Sequence, residues 1–144
     1  MRKSIFGFRD GMTILEVIIA VSIFSICVVG MCALIQKSRE LSDMARDHYI
    51  AVNIAKNRLE RVRTYDFDQI TEFSELEGTP VDVSGNDVSG SDYRFLRFTA
   101  VSNVTANLRE VNVIVGIRNR VSLTFTGERE SVKSLFADYQ EPVE

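Results

Sequence analysis

Between Val17 and Ile35 the chain runs through nineteen residues without a charge, and no other feature limits its folding as severely. At a helical rise of about 1.5 Å per residue, this stretch reaches about 28 Å, close to the hydrocarbon thickness of a bilayer. It holds much of the apolar content of a sequence that is 45% hydrophobic. What remains is a polar domain of about a hundred residues with material for one core. A freely soluble cytosolic enzyme and a disordered acidic tail both fit poorly. Ahead of the run, Arg2, Lys3 and Arg9 stand against a single Asp10. This basic flank favours the cytoplasmic side of a membrane, so a single spanning helix is expected. The residues Val29-Gly30-Met31-Cys32-Ala33 offer no small-x-small cleavage site, and neither Met31 before Cys32 nor Ile26 before Cys27 suits a lipoprotein signal.

Glu16 interrupts the apolar pattern four residues after Met12. A carboxylate at bilayer depth costs about 2.5–3.5 kcal/mol on insertion scales, so it must reach the headgroups or find a partner. The residues Gly11-Met12-Thr13-Ile14-Leu15-Glu16, after a basic leader and before a long apolar helix, resemble the processing site of type IV prepilins and type II secretion pseudopilins. The resemblance spans residues 7 to 36. It departs from the family at Asp10, a position usually basic or neutral, and at Met12, where phenylalanine is commoner; methionine there is frequent among minor pilins and pseudopilins. It implies that residues 1–11 are a leader cut off after Gly11 by the prepilin peptidase, that Met12 becomes an N-methylated first residue, and that Glu16 serves assembly. The implied partners are other pilin or pseudopilin subunits, an inner-membrane assembly platform and, before assembly, the lipid bilayer. The implied location is the bacterial inner membrane, with the C-terminal domain periplasmic or extracellular. The chemistry agrees: a carboxylate four residues from a free cationic amine can neutralise it within one chain or across to a neighbour. In an apolar filament core, only a correctly aligned subunit satisfies that carboxylate, which penalises every other register.

Beyond Ile35 the sequence turns polar without a breaker, since no proline precedes Pro80 and Gly30 is the only glycine between Met12 and Glu77. A helix is expected to continue to about Tyr65, with 12–38 as its transmembrane or filament-core half and 39–65 as its amphipathic half. Leu41, Ala45, His48, Val52, Ala55, Leu59 and Val62 recur at helical spacing, and Met44, Ala51 and Ile54 widen the stripe. A coiled coil is the alternative, but the small residues favour close approach to the protein's own sheet. The stretch from Ala51 to Arg63 resembles the second half of the helix in V-type minor pilins and I-type minor pseudopilins. Lys56, Arg58, Arg61 and Arg63 lie among acidic residues and read as a solvated face. His48, the only histidine, leaves little material for a metal cluster or a histidine-based triad and reads as a helix–sheet boundary residue.

Residues 66–92 read as a loop, with Pro80 and the repeated Asp82-Val83-Ser84-Gly85 and Asp87-Val88-Ser89-Gly90. Asp82, Asp87 and Asp92 are weak calcium candidates, because their spacing fails the EF-hand pattern; no metal or other cofactor is expected. An antiparallel sheet is assigned to 93–144. Tyr93–Val101 forms its first strand, Leu108–Ile117 the second with Val111, Val113, Val115 and Ile117 on one face, and Val121–Phe125 the third. The tail from Ser131 to Tyr139 reads as a short helix or a last strand. Cys27 and Cys32 sit about 140° apart on a helix and cannot pair within it. The expected fold is therefore α+β and pilin-like, one very long N-terminal helix on an antiparallel sheet of about three or four strands. The expected function is a structural, minor filament subunit. The competing class is a single-pass membrane-anchored binding module outside the cytoplasm. An enzyme is not expected, for lack of a visible nucleophile–base pair or phosphate loop, and the net charge of −3 without a basic stripe argues against nucleic acid as a partner.

Overall fold

A computed structural model describes residues 13–119, 122–125 and 127–138. The chain divides into two compact units, Met1–Ser42 and Asp43–Glu144. Helix α1 covers Ile14–Val62 and contributes to both.

In the first unit, every described residue is exposed, although most are apolar; Ile14, Phe24 and Leu34 are typical. The only hydroxyls in the middle of this run are turned inward. Ser22 Oγ donates to the Ile18 carbonyl at 2.7 Å and Ser25 Oγ to the Val21 carbonyl at 2.8 Å, so neither needs water. The helix is long and apolar enough to cross a membrane.

The second unit is built on a four-stranded antiparallel sheet in the order β1-β2-β3-β4, with β1 at Glu75–Val81, β2 at Phe95–Thr105, β3 at Leu108–Ile117 and β4 at Arg129–Ala137. Strand β3 supplies the densest apolar row, because Val111, Val113, Val115 and Ile117 alternate onto one face and are all buried. Against that face lie Ala51, Ile54, Ala55, Leu59 and Val62 of α1, joined by Ile70, Val81 and Phe95. Each large aliphatic side chain in this layer contributes about 1.5–3 kcal/mol by leaving water. The α+β layout expected from the sequence, a long helix packed on a small antiparallel sheet, is thus the one observed.

The details differ from expectation in four places. The buried stripe of α1 starts at Asp47 rather than Leu41; Leu41, Met44 and Ala45 are exposed. The helix ends at Val62, where the Thr64 and Tyr65 amides bond carbonyls three residues back and tighten the last turn. The span 66–92 is not simply a loop, since it holds a 3-10 helix at Phe67–Phe73 and strand β1. Gly78 and Pro80 hid that strand because both are breakers in a central strand, yet β1 is an edge. Gly78 takes φ +83° where the register to β2 shifts between Glu75 and Thr79, and a Cβ there would meet the Phe98 ring at 2.6 Å. Finally, the third strand of the meander is not 121–125. The residues 122–125 form no strand, Leu123 has φ 54°, and its amide bonds the Asn119 carbonyl at 3.0 Å. A left-handed residue cannot continue a pleat, and Phe125 instead stacks on Tyr93 with ring centroids 5.6 Å apart. The tail left open between helix and strand supplies the missing partner as β4. Val121 and Tyr139 lie outside the described residues.

Candidate functional site

The N-terminal motif is the first candidate. Gly11 and Met12 lie outside the described residues. Thr13 caps α1, its Oγ1 accepting the Glu16 amide at 3.3 Å. Thr13 and Glu16 thereby take the first and last positions of the S/T-x-x-E pattern at a helix start, where a carboxylate also faces the positive end of the helix dipole. That gives Glu16 a local stabilising role the sequence analysis missed, legible in Thr13-Ile14-Leu15-Glu16 alone. The bond uses the Glu16 backbone and leaves its exposed carboxylate available.

The second unit gathers a buried ionic cluster. On β2 the helix-facing row reads Phe95, Arg97, Thr99, Val101, opposite Ile117, Val115, Val113 and Val111 of β3. Arg97 is 1% exposed in the middle of this apolar row. Its cost is offset by Glu75, which accepts from Arg97 Nε at 2.9 Å and Nη2 at 2.8 Å, from Thr99 Oγ1 at 3.1 Å and from Arg58 Nη2 at 2.7 Å. Asp87 accepts from Arg97 Nη2 at 2.8 Å, and the Gly85 carbonyl from Nη1 at 3.0 Å. One carboxylate on β1 is thus shared by two arginines, from α1 and β2. Burial works against the Arg97 charge, but its bonds to Glu75 and Asp87 outweigh that and hold its pKa above the ordinary arginine value. For Arg58, burial and the neighbouring Arg97 charge prevail and lower the pKa. Arg58 also lies over the Phe73 ring at 4.9 Å, while its buried Nε has no partner among the described residues. The expectation of a solvated basic face therefore fails at Arg58, which faces inward.

The calcium candidates are engaged separately. Asp82 closes its own turn, Oδ1 accepting the Ser84 and Asn86 amides at 2.8 and 2.9 Å. The Asn86 amide foremost, with Ser84 and Gly85, holds the Asp82 carboxyl below its ordinary pKa. That turn aims the Gly85 carbonyl and Asp87 at Arg97, which explains half of the sequence stutter. Asp92 is exposed and lies 3.9 Å from Arg118. Among the described residues, no group of three or more His, Cys, Asp or Glu is placed to hold a metal ion. His48 bridges α1 and β4, its Nδ1 2.7 Å from Glu130 Oε1 and its Nε2 4.0 Å from Glu128. One turn position earlier, the buried Asp47 accepts from Arg94 of the segment leading into β2. Cys27 and Cys32 are free and exposed.

The residues brought together here tie β1 and the 82–87 turn to the sheet. Comparison with protein families, curated proteins and solved structures returns no match to this chain.

Proposed function

We propose that this chain is a structural, minor subunit of a type IV pilus or type II secretion pseudopilus, cut after Gly11, N-methylated at Met12 and assembled through its apolar helix. The observation that carries the proposal is the placement of Glu16 at the start of the apolar, exposed first half of α1, four residues after Met12 of the Gly11-Met12 pair. Such a surface needs lipid or neighbouring helices around it, and a carboxylate at its head rewards one alignment over others. The second unit has its own core and acts as the headgroup carried outside the membrane. Its partners are other subunits of the filament, the peptidase and the assembly platform.

Mass analysis of the purified N-terminus in cells containing a prepilin peptidase tests the proposal. The expected product begins at methylated Met12, and Gly11→Leu should retain the full leader, because a side chain there obstructs close approach of the protease. An intact leader on the wild-type protein would favour the membrane-anchored binding module instead.

A further inference from the structure

The two edges of the sheet differ. Strand β1 is protected by the register break between Glu75 and Thr79, by the left-handed Gly78 and by Pro80, which has no amide proton to offer. Strand β4 pairs with β3 without a break from Arg129, opposite Gly116, to Ala137, opposite Leu108. It contains neither proline nor glycine.

The hydrogen bonds at its two ends fix which backbone groups remain. The Ile117 amide donates to the Glu128 carbonyl at 2.9 Å, and the Asp138 amide to the Asn107 carbonyl at 2.9 Å. Bonded positions alternate along an antiparallel ladder. The even-numbered residues of β4 therefore direct their amides and carbonyls to β3, while Arg129, Ser131, Lys133, Leu135 and Ala137 direct theirs outward. No strand among the described residues meets them. The side chains leave a matching gap. On the helix side, Val132 and Phe136 pack against the core yet stay only half-buried. On the other side, Leu135 is 60% exposed and Arg129 forms no ion pair among the described residues. Lys133, the residue that would guard such an edge, is drawn back to Glu110 of β3 at 3.1 Å.

We infer that the outer edge of β4 receives an extended segment of a partner protein as a fifth, antiparallel strand. The bound segment carries apolar residues opposite Val132, Leu135 and Phe136 and a carboxylate opposite Arg129. Its backbone supplies affinity through the five outward positions, and its alternating side chains set the register. This holds whether or not the chain is processed and assembled as proposed above.

The test uses the full chain in detergent micelles and a capped, fluorescently labelled peptide, Thr-Val-Val-Thr-Thr-Ile-Thr-Lys-Glu, whose last residue falls opposite Arg129. Saturable binding by anisotropy is expected. Replacing the terminal glutamate by lysine should weaken binding about tenfold, the equivalent of about 1.4 kcal/mol, and Arg129→Glu should reverse that preference. Ser131→Pro removes one outward amide and the exposed Ser131 Oγ bond to Asn112 but no backbone bond of the β3 ladder, so it should abolish binding while the thermal melt stays cooperative and close to wild type. If Ser131→Pro disturbs the fold, the charge exchange at Arg129 still decides. Absence of saturable binding, or affinities indifferent to the charge exchange, would overturn the inference. So would a β4-dependent dimer of the chain that excludes the peptide, since the edge would then belong to a second copy.

Discussion

Replacing Glu75 with glutamine keeps its shape and removes only its charge. In the folded second unit, the Arg97 side chain is 2% exposed, Arg58 13% and Glu75 itself 19%. The substitution leaves two sequestered guanidiniums without their shared counter-charge, and the glutamine amide turns a donor toward donors. Removing one partner of a buried pair costs about 3–5 kcal/mol. Asp87 cannot compensate fully, since its side chain is 68% exposed and reaches only Arg97. Arg97→Met should behave differently. It leaves Glu75 with Arg58 and Thr99, returns Asp87 to water and removes the Arg97 repulsion that, after burial, lowers the Arg58 pKa. The loss there is the donor to the Gly85 carbonyl and the packing of one side chain, about 1–2 kcal/mol. The assay is thermal unfolding, followed by circular dichroism, of a fragment beginning at Arg39, which contains the whole second unit. For a domain of about a hundred residues, each kcal/mol moves the midpoint by about 4–8 °C, so Glu75→Gln should fall at least ~12 °C and Arg97→Met clearly less. Equal losses, or a larger loss for Arg97→Met, would refute the claim that an uncompensated buried charge dominates this cluster.

Glu16→Ala should leave membrane insertion intact or improve it, while the subunit disappears from sheared filaments; wild-type levels in those filaments would remove the register role. Leu59→Asp should cost more than ~3 kcal/mol and unfold the Arg39 fragment, because it places a charge in the layer between α1 and the sheet; a cooperative melt like that of wild type would show that this face is not buried. Asp82 predicts a pH dependence of known sign. Its folded pKa lies below the ordinary 3.8, so its stabilisation is present above that value and is lost as pH falls through the folded one. Asp82→Asn should therefore be less stable than wild type at neutral pH, with the gap in urea midpoint closing as the pH falls below the ordinary carboxylate value.

The parts of this fold that were legible in the sequence are those where one periodicity ran uninterrupted. The uncharged run gave the apolar helix, and the valines of β3 declared their buried face because Glu110 and Asn112 alternate with them on the other. Strand β1 was obscured because Gly78 and Pro80 carry opposite meanings at the edge and at the centre of a sheet, and strand order is not a local property. The segment 121–125 misled for the converse reason: its alternation is real, but Leu123 sits at positive φ and residues 122–125 form no strand.

Arg97 exposes the physical limit most clearly. Strand β2 is aromatic and aliphatic on both faces, with Phe95 inward and Leu96 and Phe98 outward, so hydrophobicity alone does not decide its parity. An arginine between them argues for the solvent side unless a carboxylate is known to wait inside. That carboxylate, Glu75, comes from a segment that itself looked like loop, and the second acceptor, Asp87, is positioned by a turn that looked like low-complexity repeat. The three features are illegible separately and mutually explanatory together. Arg97 permits Glu75 to turn largely inward, Glu75 anchors the irregular edge strand, and Asp82 shapes the turn that delivers Asp87. An edge closed in this way on the β1 side leaves β4 as the side on which the sheet can still grow.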